Sequence, residues 1–362
     1  MSIRDELKSA VIQLGDASVR PHDFEELALE IFRFQAATNY TYKEYLGFLN
    51  VNPTKINRLE KIPFLPIQFF KHHKIVSDAA PTQIVFESSG TTGDTTSKHL
   101  VSDLPFYEYI SQRIFEQFYG PLSEFHILAL LPSYLERNNS SLVYMVQSFI
   151  YRTYSRESGF YLKNTAELVQ QLRQLSNQNS KRKVLLIGVT FALLDLAESG
   201  EDLSFMHKLK DRLIVMETGG MKGRRKELLR EEVHEILTSA FGIEKIHSEY
   251  GMTELLSQGY SKGDGIFELP KTMKVLLREI NDPFKIISTL KMPSLNNKSI
   301  VRGGINVVDL ANIDSCSFIE TQDLGAYNTE NQSFSVIGRF DNSVQVVLKI
   351  RSQGLLNVDQ KW

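Results

Sequence analysis

The sequence predicts an α/β fold in which a parallel sheet flanked by helices is followed by a β-rich region. Three observations predict it. Apolar runs at 125–131, 183–188, 212–216 and 246–250 alternate with amphipathic stretches long enough for crossover helices. The first sixty residues repeat their apolar positions at three and four, as helices do. Residues 266–349 break into short apolar runs separated by Gly, Asn and Asp.

In order along the chain, Leu27, Ile31 and Phe34, then Tyr42, Tyr45 and Phe48, mark helical faces. The segment Phe64 to Lys71 brings proline and aromatics into a connection. Gln83-Ile84-Val85-Phe86 reads as a strand, and 104–118 as a helix leading to the strand Phe125 to Leu131. A helix begins near Ser140, and another covers 165–176 before the strand Lys183 to Gly188. Thr190 opens a helix to Leu196, and the strand Arg212 to Met216 precedes Glu217-Thr218-Gly219-Gly220. A long amphipathic helix spans 224–240 with Gly242 just past its end as a C-cap, and Ile246 to Tyr250 is a further strand. This gives a helical region over 1–80, an α/β core over 81–265, a β-rich region over 266–343 and a tail over 344–362.

The chain has 362 residues, 42% of them hydrophobic, so it can bury a sizeable core. A formal net charge of −2, with both signs mixed along the chain, points away from nucleic acid. Cys316 is the single cysteine, which excludes an intramolecular disulfide and makes a cytoplasmic setting the expectation. The first residues are charged and lack the apolar centre of a signal peptide, and no apolar run is long enough for stable membrane insertion.

The richest segment is Ser88-Ser89-Gly90-Thr91-Thr92-Gly93, followed by Asp94-Thr95-Thr96-Ser97-Lys98-His99. Its glycines let backbone approach a ligand closely, its hydroxyls donate to phosphate oxygens, and successive N–H groups can form an anion nest. Lys98 adds a point charge, and the preceding strand would anchor the loop. The same composition also suits a solvated linker. The spacing is neither that of a Walker P-loop nor that of the Gly-x-Gly-x-x-Gly dinucleotide fingerprint.

A second motif, Tyr250-Gly251-Met252-Thr253-Glu254, follows a strand. A planar base suits an aromatic face, and a hard cation suits a carboxylate; in isolation such a segment is more often an ordinary strand end. Glu217-Thr218-Gly219-Gly220 is a Gly-rich turn after a strand. Glu320-Thr321-Gln322-Asp323-Leu324-Gly325 carries an acid able to accept from two hydroxyls, and Gly338-Arg339-Phe340-Asp341 follows. The adjacent pair His72-His73 has no partner spacing for zinc and reads as structural. His99, beside Lys98, is either a solvated loop histidine or a contact for an acyl phosphate.

Taken in this order, the elements resemble the adenylate-forming superfamily of acyl-CoA and aryl-CoA ligases, luciferases and adenylation domains. Within it they look closest to the acyl-protein synthetases of the bacterial bioluminescence fatty-acid reductase complex. The trailing Ser97-Lys98-His99, and the stretch Leu131 to Arg137 with Asn139-Ser140-Ser141-Leu142, carry that closer likeness. The resemblance covers roughly 85–345 and implies the large N-terminal domain of that fold, with mixed and parallel sheets flanked by helices and a β-rich subdomain.

The same resemblance implies ATP and Mg²⁺ as cofactors, with CoA a further candidate. It gives Ser88, Ser89, Gly90, Thr91, Thr92 and Gly93 to the phosphates, and Gly219 and Gly220 to the adenine pocket. Tyr250, with Gly251 behind it, would stack on adenine, Thr253 would reach the α-phosphate and Glu254 would hold Mg²⁺. Asp323 would bind ribose and Arg339 would lie at the hinge, while Lys98 and His99 would serve the reaction itself. The implied reaction activates a carboxylic acid, expected to be a fatty acid, to an acyl-adenylate and passes the acyl group to a thiol on CoA or on an accepting protein.

Two departures are expected to matter. Only 342–362 follow the fourth element, too few for the mobile C-terminal domain of most members, which would then be missing. The acyl-protein synthetases carry a cysteine close to their C-terminus, whereas no cysteine follows Cys316 here, and Cys316 itself reads as a buried apolar residue. A CoA ligase working without the mobile domain and an inactive nucleotide-binding subunit are the alternatives these departures leave.

Overall fold

A computed structural model of the chain describes residues 2–14, 23–78, 81–88, 95–131, 139–161, 164–219, 228–287 and 300–339. The chain opens with helices α1 (Ile3–Gln13), α2 (Phe24–Thr38) and α3 (Tyr40–Phe48). A two-residue strand, β1 (Leu65–Pro66), precedes the single-turn helix α4 (Phe69–His72). Strands β2 (Ile84–Glu87) and β3 (Lys98–Val101) form a two-stranded ribbon. Next come α5 (Leu104–Tyr119), β4 (Phe125–Leu130), α6 (Ser141–Thr153), β5 (Gly159–Phe160), α7 (Thr165–Asn177) and β6 (Lys183–Val189). They are followed by α8 (Thr190–Ala197), β7 (Leu213–Thr218), α9 (Arg230–Phe241) and β8 (His247–Tyr250). The remaining strands are β9 (Gly259–Ser261), β10 (Ile266–Glu268), β11 (Met273–Glu279), β12 (Asp282–Ile286), β13 (Ile300–Asp309), β14 (Phe318–Asn328) and β15 (Ser333–Arg339).

These elements divide into two compact units, each assembled from separated pieces of chain. One unit draws on residues 85–98 and 103–268; the other draws on residues up to 84, on 99–102 and on residues from 269.

The first of these units is the α/β body. Its strands run in the order β5-β4-β6-β7-β8-β9-β10. β5, β4, β6, β7 and β8 are parallel, and β9 and β10 turn back antiparallel. The parallel strands are buried on both faces, so β4 and β6 are almost wholly apolar. The crossover helices begin and end where the side chains dictate. Asp103 caps α5 by accepting from Phe106 N at 3.0 Å, and Gly120, at φ 94°, ends it. Asn164 caps α7, whose Leu168, Val169, Leu172 and Leu175 form its buried stripe. Gly242, in the left-handed region at φ 64°, closes α9 as its position after the apolar stripe predicts. The described part of that helix begins at Arg230 rather than 224, and 220–227 lie outside the described residues.

The other unit combines the N-terminal helices with the β-rich region. Its antiparallel strands run β12-β11-β13-β14-β15, and β1 pairs parallel to β14. Arg4 and Lys8 of α1 reach Asp314 at 2.6 and 2.7 Å. Gln35 of α2 donates to Asn312 O and Ile313 O and accepts from Ser317 N. Phe32, Tyr42 and Phe64 pack on Phe318.

Cys316 lies in this core, fully buried, with Sγ 3.4 Å from Phe318 O. Burial pushes its thiol up to about 12, so at neutral pH almost none is thiolate. A disulfide-exchange reagent should therefore leave the native chain unmodified and release one thiol only on unfolding, at least about 100-fold faster than in the native state. Rapid labelling of the folded chain would show that Cys316 is accessible after all.

Among the described residues no helix is long and apolar enough to cross a membrane. Within the same residues no group of three or more His, Cys, Asp and Glu side chains could hold a metal ion; His72 ends α4, and the ring of His73 lies against Phe69.

Candidate active site at the carboxyl ends of the parallel strands

In the α/β body the motif segments gather at one end of the sheet. Gly219 follows β7, Gly251 follows β8, and Thr190 follows β6, all at the carboxyl ends of parallel neighbours. Ligands of open α/β sheets bind in the crevice beyond those ends, where helix N-termini and loop amides converge. Leu131, at the end of β4, is buried, while 132–138 lie outside the described residues.

The hexad is described only at Ser88; Ser89, Gly90, Thr91, Thr92 and Gly93 lie outside the described residues, as does Gly220. Ser88 and Ser97 nevertheless close the base of that loop. Ser88 N donates to Ser97 O at 3.0 Å, and Ser97 N donates to Ser88 Oγ at 2.9 Å. Lys98 follows immediately and is exposed.

At the end of β8, Tyr250 is buried with its ring edge-on to Phe267 at 5.8 Å. Thr253 is half-buried, and Glu254 is only 4% exposed. Mg²⁺ commonly takes one or two protein carboxylates and completes its shell with phosphate and water. One enclosed carboxylate beside a hydroxyl at a strand end fits that mode.

One polar network here is not legible from the motifs. Arg230, opening α9, donates to Glu217 Oε1 at 2.8 Å and to Ser248 Oγ at 2.9 Å. Its guanidinium also lies 5.2 Å from the Phe267 ring centre, and a Cβ at Gly265, where φ is 65°, would stand 2.8 Å from Arg230 Cδ. Thr190 Oγ1 lies 2.7 Å from Glu217 Oε2 and also reaches Gly219 O; its single proton serves one of them at a time. Burial opposes ionisation of Glu217, but His234, Arg230, Thr190 and Ser248 together offset it and hold the carboxyl below its usual range. His234 Nε2, at 4.0 Å, is beyond hydrogen-bond reach, so Arg230 and Thr190 set the geometry. The signal in the sequence was a carboxylate at the end of an otherwise apolar parallel strand, where charge is out of pattern.

Glu249, on the opposite face of β8, behaves differently. Its Oε2 accepts from Thr218 Oγ1 at 2.6 Å, and the residue keeps a partial opening to solvent while protein crowds its carboxyl. Burial pushes it up to about 7; the Thr218 bond works against the shift, and Glu217 adds to it. The folded state therefore holds a proton that the unfolded chain releases, so this contribution to stability is complete below the unfolded value near 4.5 and is lost as pH rises through 7. Glu249→Gln should be more stable than the parent at pH 8 by about 2 kcal/mol, with the gap closing towards pH 4, after discounting for the solvent opening. Parallel stability curves for the two proteins from pH 4 to 8 would rule this out.

In the other unit, Asp323 of β14 is buried, and its Oδ1 accepts from Arg339 Nε of β15 at 3.2 Å, the two being cross-strand partners. Phe340 and Asp341 lie outside the described residues. His99 is not a solvated loop residue: it belongs to β3, is 1% exposed, and its Nε2 lies 3.0 Å from Asn312 Oδ1 with its ring edge-on to Phe70.

No family model matches the chain. It is 25% identical over 233 residues to a long-chain-fatty-acid–luciferin-component ligase of Aliivibrio fischeri, an alignment covering 62% of this chain and 60% of that protein. The chain thus matches less than two thirds of that curated relative's length. The fold is similar to that of a 2-hydroxyisobutyryl-CoA ligase in complex with its adenylate and CoA in the thioesterification state. The TM-score is 0.62 at 14% identity, covering 94% of this chain and 70% of the other. An open conformation of the same ligase gives a TM-score of 0.59 at 13% identity, over 88% of this chain and 70% of that one. The chain is thus similar in fold to a CoA ligase and, over part of its length, similar in sequence to a fatty-acid–luciferin-component ligase.

Proposed function

We propose that this chain is an ATP-dependent acid–thiol ligase. A carboxylate oxygen of the acid attacks the α-phosphorus of ATP, the bond from that phosphorus to the bridging oxygen breaks, and pyrophosphate leaves. A thiolate then attacks the acyl carbon and AMP departs. The observation that carries the reading is the clustering of Gly219 and the Tyr250–Glu254 segment at the carboxyl ends of adjacent parallel strands.

In this reading Tyr250 flanks adenine, Thr253 donates to the α-phosphate, Asp323 accepts from the ribose hydroxyls and Lys98 neutralises phosphate charge. Glu254 holds Mg²⁺, which supplies charge neutralisation on the phosphates. The loop based on Ser88 and Ser97 contributes amide and hydroxyl donors. Arg230 acts at one remove, holding Glu217 and hence the turn at Gly219. His99, enclosed and engaged by Asn312, has a supporting part and is left out of the reacting set.

The relative's name makes a long-chain fatty acid the first acid to try, and either CoA or a partner protein the thiol. The test is acid-dependent ATP–pyrophosphate exchange across aliphatic and aryl acids, with CoA and a candidate carrier added in turn. Exchange with at least one acid, followed by thioester formation on an added thiol, is expected. No exchange with any acid would sink the ligase reading and leave nucleotide binding alone.

A further inference from the structure

On the face of β7–β9 that packs on α5, four polar side chains lie side by side near the carboxyl ends of β7 and β8. Thr218 pairs with Glu249 across β7 and β8, and Glu249 pairs with Tyr260 across β8 and β9. Gln258, two residues before Tyr260, lies beside the same turn. A Cβ at Gly251 would stand 2.2 Å from Glu249 Oε1 and 3.5 Å from Gln258 Cγ, so both side chains crowd one point. The wall below is aromatic: the Tyr260 ring packs on Phe115, Phe118 and Tyr119.

Two of these groups are buried without a partner. Gln258 is 4% exposed; its Nε2 donates to Leu256 O at 3.0 Å, and its Oε1 has no hydrogen-bond partner. Tyr260 is 1% exposed, and its hydroxyl likewise has none. Buried polar atoms are nearly always paired, so two orphans beside a partly open carboxyl suit a ligand that supplies the missing partner. An alkyl chain laid against them would leave both orphans unserved. A hydroxyl can donate to Gln258 Oε1 or Glu249 Oε1 and accept from Tyr260 Oη, whereas an ammonium can only donate.

We propose that Glu249, Gln258 and Tyr260 form a polar wall against which the chain of the acid lies, and select a carboxylic acid whose chain carries a hydroxyl group. The proposal rests on the ligase reading for the identity of the ligand as an acid. Burial, together with the charge of Glu249, keeps the Tyr260 hydroxyl protonated and a donor, in line with this arrangement.

The test compares butanoic, octanoic and dodecanoic acids with their monohydroxy and monoamino derivatives, by calorimetric binding to the full chain and by ATP–pyrophosphate exchange. At least one hydroxy acid should bind about 10-fold or more tightly than its alkyl parent, since a site built to hydrogen-bond a hydroxyl rejects the analogue lacking it. In Gln258→Leu that ratio should fall towards one while the melting temperature rises, because the orphan is gone. Glu249→Gln should lower the ratio independently and guards against a folding defect in the first variant.

Alkyl acids binding as well as every hydroxy partner, or amino acids binding best, would overturn the proposal. So would a Gln258→Leu variant that keeps the preference. A hydroxyl preference in binding without exchange would instead remove the ligase reading and leave the polar wall standing. Exchange without a hydroxyl preference would do the reverse.

Discussion

Glu254→Gln is expected to abolish acid-dependent ATP–pyrophosphate exchange while leaving the fold intact. The substitution keeps size and shape at a position 4% exposed and removes only the charge. A hard divalent cation binds a carboxylate far better than an amide, and charge neutralisation on the departing pyrophosphate depends on it. Losing one such electrostatic stabiliser commonly costs on the order of 100- to 1,000-fold in turnover. The fold is checked by near-UV circular dichroism and by a melting temperature within a few degrees of the parent. Exchange within about threefold of the parent across a Mg²⁺ titration would falsify the assignment of Glu254 to the metal.

Arg278→Met should cost about 3–5 kcal/mol of stability, the largest single loss expected in the β-rich unit. The guanidinium is 3% exposed and fully committed: it donates to Ile305 O at 2.8 Å, Asn306 Oδ1 at 2.9 Å and Thr321 O at 2.7 Å. β13 narrows to admit it, since a Cβ at Gly303 would stand 2.4 Å from Arg278 O and one at Gly304 2.6 Å from Arg278 Cζ. Glu320 approaches to only 3.5 Å. Burial therefore prevails over the pull of Arg278 and lifts that carboxyl to about 7. Removing Arg278 takes the donor from Thr321 O and from the Asn306 amide oxygen in the core, Ile305 O keeping its bond from Thr321 Oγ1, and leaves Glu320 with nothing to offset its desolvation. Adding Glu320→Gln to Arg278→Met should recover part of the loss, at least about 1 kcal/mol, in urea unfolding. A single-variant loss below about 1 kcal/mol would mean that the network adds little.

The strands and helices of the α/β body were largely legible because their periodicities are strong and local. β4, β6 and β7 stand out as apolar runs, and Asp103, Asn164 and Gly242 punctuate the helices between them. The end of β8 was legible for a different reason, because Tyr250 to Glu254 is a short contiguous motif. What escaped notice depends on register. Glu249 and Tyr260 become neighbours only when β9 folds back on β8, and a shift of one residue would send Tyr260 to the other face. Arg230 and Glu217, 13 residues apart, meet only once β7 and α9 are in place, and Arg278 is like any other charge in its strand until β13 and β14 close over it. His99 shows the same limit from the other side: next to a glycine-rich loop it looks solvated, yet β3 carries it inward.

The dependence of α1 and α2 on the region around Asp314 has a consequence for how the protein is made. The ion pair between Arg4 and Asp314 spans 310 residues, and Gln35 waits for Ser317 across 282. A ribosome adding 5–20 residues per second takes roughly 15–60 s to produce the distant partner. Until then Phe32 has Tyr42 of α3 beside it but lacks Phe318, and the α/β body, which ends at residue 268, is synthesised in full before that partner. Helices α1 and α2 thus complete their burial only after the α/β body has been synthesised.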